Sequence, residues 1–173
     1  FGKKASQSTY RVDWTAAPVP GARPALGSAA VVGRGALADS ASSALAALGA
    51  SVALFATVTE YLDSLGAAAP PPLTVWARTS QDVDIPARAL AVATALLEDL
   101  KVWCASEESE STRLVVLTEN AACTGDFHER PEPAGAVAWG LCRTARNEHP
   151  DLAFGLLDVD GSAEAQGILG GAL

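Results

Sequence analysis

Ala29-Ala-Val-Val-Gly33-Arg-Gly35-Ala-Leu-Ala38 is the stretch on which the fold turns. Four apolar residues, two of them β-branched, read as a short buried strand. Gly33 and Gly35 then allow a sharp reversal, and a helix opens at Ala36. Leu37, Ala41, Ala44, Leu45 and Leu48 recur at helical spacing, and Gly49 supplies a stop. Strand, glycine turn and helix in this order begin a βαβ unit.

The same alternation continues downstream. Ser51–Ala56 reads as a second buried strand, and Thr59 as the cap of a short helix through Leu65, closed by Gly66. Pro70-Pro-Pro72 marks a turn before a third strand, Leu73–Ala77. A long helix is expected from about Val83 to Trp103, with Leu90, Ala93, Leu96, Leu97, Leu100 and Trp103 as its apolar face. Ser106–Ser111, rich in glutamate and serine, reads as a solvated loop. Leu114–Leu117 is a fourth strand. After a long loop, Ala134–His149 forms a helix stopped by Pro150, then Ala153–Leu157 a fifth strand and Ala163–Leu173 another helix. Upstream, Ala16–Gly27 is too rich in proline and glycine for a regular element. Tyr10–Trp14 alternates as a half-buried strand does, and residues 1–8 read as a linker. Five continuous apolar strands alternating with helices require cover on both faces. The expected fold is therefore α/β, a doubly wound and mostly parallel sheet in one domain, residues 9–173.

Composition narrows the function. The chain has 173 residues with 20 acids against 12 bases, a net charge of −8. That balance, with no Lys/Arg cluster, argues against nucleic acid and against an anionic membrane surface. No apolar run approaches the roughly 20 residues that span a bilayer. Cys104, Cys123 and Cys142 are widely separated and read as small buried apolar side chains, which suits a reducing, cytoplasmic setting.

The sharpest candidate site is Gly33-x-Gly35-x-x-Ala38, a match to the dinucleotide-binding fingerprint in the right strand–helix context. Its second half is missing. An acid should close the next strand to hold the ribose hydroxyls, but Phe55-Ala-Thr57 stands there, and Glu60 comes inside the next helix. The turn therefore reads as a relic with no working cofactor site. Reductase chemistry by a tyrosine that a lysine four residues on makes acidic is also absent. Trp14 follows Tyr10 at that spacing, Leu65 follows Tyr61, and the lysines are Lys3, Lys4 and Lys101 alone. No G-x-S-x-G elbow is present. His149 reads as a helix-end cation. Asp126, His128 and Glu129 lie on one loop and do not converge as metal ligands by themselves. Asp158 and Asp160 follow the fifth strand and read as a solvated turn. No catalytic residue and no metal ligand is assigned.

Two segments resemble a known family. Tyr10-Arg-Val-Asp-Trp14 resembles the opening strand of polyketide synthase ketoreductases. Pro133-Ala-Gly-Ala-Val-Ala-Trp139-Gly-Leu-Cys-Arg143-Thr-Ala-Arg-Asn-Glu148-His149-Pro150, followed by Asp158-Val-Asp160-Gly161, resembles that family's helix ending in Glu-His-Pro. The resemblance covers nearly the whole chain. It implies a truncated Rossmann-like subdomain, the structural half of a ketoreductase in a bacterial modular type I synthase. Such a half binds no cofactor itself. It supports NADPH-dependent reduction of β-ketoacyl chains on an acyl carrier protein by a catalytic subdomain beyond this chain, which follows either directly or after an intervening enoylreductase. Tyr10, Val12 and Trp14 are the expected bridge to the catalytic partner. Trp139, Leu141 and Cys142 are expected in the helix–sheet core. Two alternatives stay open: a pseudo-ketoreductase scaffold in a non-reducing module, and a free-standing nucleotide-binding enzyme.

Overall fold

Alternate residues of a strand face opposite sides of its sheet, so a run such as Ala29–Val32 must be covered twice. The computed structural model describes residues 14–18, 26–79, 84–124 and 131–173 and shows that double cover. The expected linker 1–8, Tyr10 and Val12 lie outside the described residues. The elements are β1 (Ser28–Val32), α1 (Ala36–Ala47), β2 (Ser51–Phe55), α2 (Val58–Leu65), β3 (Leu73–Ala77), α3 (Ile85–Cys104), β4 (Arg113–Glu119), α4 (Pro133–Glu148), β5 (Phe154–Val159) and α5 (Ala163–Ala172). The sheet has the order β2-β1-β3-β4-β5, and every pair is parallel. Val31 pairs with Leu54 on one side and Val75 on the other, and Val75 with Val115.

The two faces carry separate cores. Ala30, Val32, Trp76, Leu114 and Val116 pack with residues of α2, α3 and α4. Ala29, Val31, Val75, Val115 and Leu117 pack with Leu37, Ala41 and Leu45 of α1 and Leu169 of α5. The first core is aromatic. The Trp103 ring meets Trp76 edge-on at 5.4 Å and stacks near Tyr61 at 6.2 Å. A hydroxyl chain runs beneath it, with Tyr61 Oη 3.1 Å from Thr74 Oγ1 and Thr74 Oγ1 3.2 Å from Thr112 Oγ1. Burial raises the Tyr61 pKa, so the phenol stays a neutral hydrogen-bonding group.

Several sequence expectations need correction. β2 is an edge strand, not a buried one, and Leu54 is 51% exposed. A continuous apolar run reads alike in the centre or at the rim, because sheet order is set by distant pairing. The buried stripe of α3 is Val92, Leu96, Leu100 and Trp103, whereas Leu90 and Leu97 of the expected face point outward. Both sets satisfy helical periodicity, so spacing alone cannot choose between them. The cap of α2 is Thr57, whose Oγ1 accepts from Glu60 N at 3.1 Å, and not Thr59. Residues Glu107–Glu110 form a 3₁₀ turn with Ser109 buried, in place of the expected loop. Of the cysteines, Cys142 is buried, Cys104 half-buried and Cys123 exposed, so the expectation of burial fails at Cys123. No helix among the described residues is long and apolar enough to cross a membrane.

Candidate functional site at the carboxyl edge of the sheet

In open parallel sheets ligands bind beyond the carboxyl ends of the strands, above all where connections diverge to opposite faces. Here that point lies between β1 and β3, and the glycine turn sits on it. Gly33 N–H donates to Phe55 O at 2.9 Å, so this amide faces β2 and not a ligand. A Cβ on Gly33 would lie 2.5 Å from Ala77 O, at a φ of +145°. The glycine is thus required by the close approach of β1 to the end of β3. Gly35, at φ +87°, caps α1, and its carbonyl accepts from Asp39 N at 3.1 Å. Ala38 is fully buried in the core under α1.

Charges of both signs surround the turn, with Arg34 between the two glycines. Asp39 in the first turn of α1 and Glu60 of α2 line a hollow of about 270 Å³ with Gly33, Gly35 and Phe55. Glu60 does stand beside the end of β2, where a ribose-holding acid belongs, but its Oε2 accepts from Ala56 N at 2.8 Å. The Gly33 amide and the Glu60 carboxylate are thus both engaged within the domain.

A larger hollow, about 490 Å³, lies between the ends of β1 and β3 and the Ala91, Val92, Ala95 and Leu96 face of α3. Arg78 borders it. Its Nη2 lies 2.7 Å from Asp99 Oδ2, and its guanidinium covers the Trp76 ring at 4.9 Å. Burial lowers the Arg78 pKa, and Asp99 opposes that shift. Arg78 therefore ties β3 to α3 as a paired, largely buried cation. Burial also pushes the Cys142 thiol up to about 12, which makes it unreactive.

At the other end of the same edge, Asp158 of β5 contradicts the expected solvated turn. Its Oδ1 accepts from Thr118 Oγ1 at 2.6 Å and from Ala121 N at 2.9 Å, and its Oδ2 from Ala122 N at 3.0 Å. Asp158 closes the loop after β4, and both of its oxygens are engaged there. Asp160 is a surface turn residue that accepts from Ser162 N at 2.9 Å. Trp139 is half-buried, outside the core expected for it, because its indole Nε1–H donates to Thr118 Oγ1 at 2.8 Å. Leu141 is half-buried against the core, and Cys142 lies within it. His149 is the C-cap of α4. Asp126, His128 and Glu129 lie outside the described residues, and no metal-binding group of acids, cysteines and histidines occurs among the described ones.

Residues 12–173 match the family described as the polyketide synthase extender module SpnB, Rossmann fold domain. The chain belongs to this family. Among its relatives, polyketide synthase GfsE of Streptomyces halstedii is 35% identical over 168 residues, covering 95% of this chain and 4% of the relative. Spectinabilin polyketide synthase system protein NorB of Streptomyces orinoci is 32% identical over 177 residues, covering 98% of this chain and 8% of the relative. Pikromycin polyketide synthase component PikAII of Streptomyces venezuelae is 30% identical over 169 residues, covering 96% and 4%. The chain therefore spans less than a tenth of the length of each of these relatives.

In this Rossmann domain of a modular polyketide synthase, Gly33 packs β1 against the end of β3. Sequence reasoning missed Arg78, Asp99 and Thr118. Their partners come from other strands and helices, and no local spacing signals such pairs. Only the Thr57-x-x-Glu60 pattern, a capping-box signature, carries a local cue, and it points to the true cap of α2.

Proposed function

We propose that this domain is the non-catalytic, structural half of a ketoreductase. It would support NADPH-dependent reduction of a β-ketoacyl chain on an acyl carrier protein to the β-hydroxyacyl chain, carried out by a catalytic subdomain outside the chain. One observation carries the reading: three polar groups of the carboxyl edge, placed where a ligand would meet them, are engaged within the domain itself. Gly33 N–H holds Phe55 O, Glu60 holds Ala56 N, and both oxygens of Asp158 hold the loop after β4. A fold that turns these groups inward keeps the architecture and gives up the chemistry. The absence of a Tyr/Lys pair at four-residue spacing agrees with this.

What remains for the domain is support. Hydride transfer needs its groups held within about 0.5 Å, and a rigid packed neighbour supplies such restraint. The outer side of α3 supports a docking role, since Leu90 and Leu97 are 68% and 42% exposed. The alternating stretch Tyr10–Trp14 is the second proposed bridge to the catalytic subdomain. The test is complementation: reduction of a β-ketoacyl thioester by the catalytic subdomain is followed with and without this domain. Reduction that rises on its addition is the expected result. A catalytic subdomain equally active and equally stable alone would overturn the proposal.

A further inference from the structure

Trp14 opens the described part of the chain, and residues 14–18 run exposed ahead of the sheet. Its ring is 50% exposed, yet it meets Trp139 edge-on with centroids 5.8 Å apart and planes at 60°. Trp139 belongs to α4, more than one hundred residues later in the chain. Behind it stands a continuous line of hydrogen bonds. The Trp139 indole donates to Thr118 Oγ1 at 2.8 Å, Thr118 donates to Asp158 Oδ1 at 2.6 Å, and Asp158 accepts from the Ala121 and Ala122 amides at 2.9 and 3.0 Å. Thr118 is fully buried, so the acceptor that sets the Trp139 ring angle is fixed in the sheet. Asn120, which adjoins this loop, takes a φ of +54°, and its N–H donates to Val159 O at 2.8 Å. Helix α4, strands β4 and β5 and the loop after β4 are thus joined at one point, and the entering chain touches that point through Trp14.

The indole N–H does more than satisfy itself. A tryptophan packed only by its faces can tilt, whereas one tethered at Nε1 presents a fixed edge. We infer that Trp139 is a positioning residue for the entering strap: the Trp139–Thr118–Asp158 relay holds its ring so that Trp14 seats in one place. Trp14 then gives the proposed bridge to the catalytic subdomain a fixed point of attachment on this domain. That use rests on the ketoreductase reading above; the seating of Trp14 does not.

The experiment uses the intact ketoreductase with both halves in one polypeptide. Elastase cleavage within residues 14–18, after Ala16, reports opening of the strap, because cleavage under native conditions follows the population of the open form. An edge-on aromatic contact predicts roughly a fivefold to tenfold faster cut for Trp139→Ala and for Trp14→Ala. The double variant should cut no faster than either single one, because both remove the same contact. Trp139→Phe keeps a ring and loses the tether, so it should fall between wild type and Trp139→Ala with an unchanged unfolding midpoint. Hydrogen exchange at Ala122 checks the relay in the same samples: Thr118→Val should speed it and also loosen the strap. Unchanged cleavage in Trp139→Phe and Trp139→Ala, or increments that multiply in the double variant, would overturn the inference. An inactive wild-type ketoreductase whose strap still shows this pattern would remove the ketoreductase reading and leave the seating of Trp14 intact.

Discussion

Gly33 shows how a residue that resembles a ligand-binding device is held by packing. At its φ of +145° a Cβ would come within 2.5 Å of a backbone oxygen, which leaves room only for glycine. Gly33→Ala is expected to destabilise the domain by about 1–3 kcal/mol through overpacking and backbone strain. A lowered urea midpoint with an unchanged slope would show it. Gly35→Ala meets no atom within 4 Å, but its φ of +87° with ψ of −173° is a backbone region kept almost to glycine, so strain alone should cost about 1–3 kcal/mol. Equal stability of Gly33→Ala and the parent would mean that packing does not require the glycine. The glycine signature is fully legible in the sequence, but its purpose is not. Whether a Gly N–H faces a phosphate or a neighbouring strand depends on Phe55 and Ala77, which lie 22 and 44 residues away in the numbering. Asp158 is the opposite case: nothing near it in sequence announces Thr118 or the Ala121 and Ala122 amides as partners.

Among the elements, β1, β3 and β4 are legible as apolar runs because they are central and covered on both faces. Edge position, by contrast, is a property of the assembled sheet, which is why β2 reads as buried in sequence. In α3 the ambiguity is informative. The helix carries two apolar stripes, one inside through Val92, Leu96 and Leu100, and one outside through Leu90 and Leu97. Leu90 and Leu97 are seven residues apart, about two turns along one face. Only the inner stripe is needed by this domain. Leu90→Glu and Leu97→Glu are therefore expected to change the domain's own stability by less than about 0.5 kcal/mol. In the proposed two-part ketoreductase the same substitutions should separate the halves, seen as protease sensitivity between them and lost reduction. Substitutions that leave reduction and protease resistance unchanged in the intact protein would remove α3 from the proposed interface.

For the whole molecule, the order β2-β1-β3-β4-β5 sets a nucleotide-type crevice over the first and third strands, and several polar groups around it are engaged within the domain. Arg78 pairs with Asp99, Glu60 caps the end of β2, and Asp39 adds negative charge beside the turn. Fold and family are readable from sequence because strand–helix alternation and the Glu-His-Pro helix end are local patterns. The internal use of the polar edge is not, because each bond crosses between elements. The central claim is that this domain supports cofactor chemistry without holding the cofactor. Calorimetric titration of NADPH tests it most directly, first into the domain alone and then into the domain joined to the catalytic subdomain. The expected result is no saturable heat from the domain alone and clear saturable binding from the pair; tight binding to the domain alone would contradict the account and make Gly33–Ala38 a working cofactor turn.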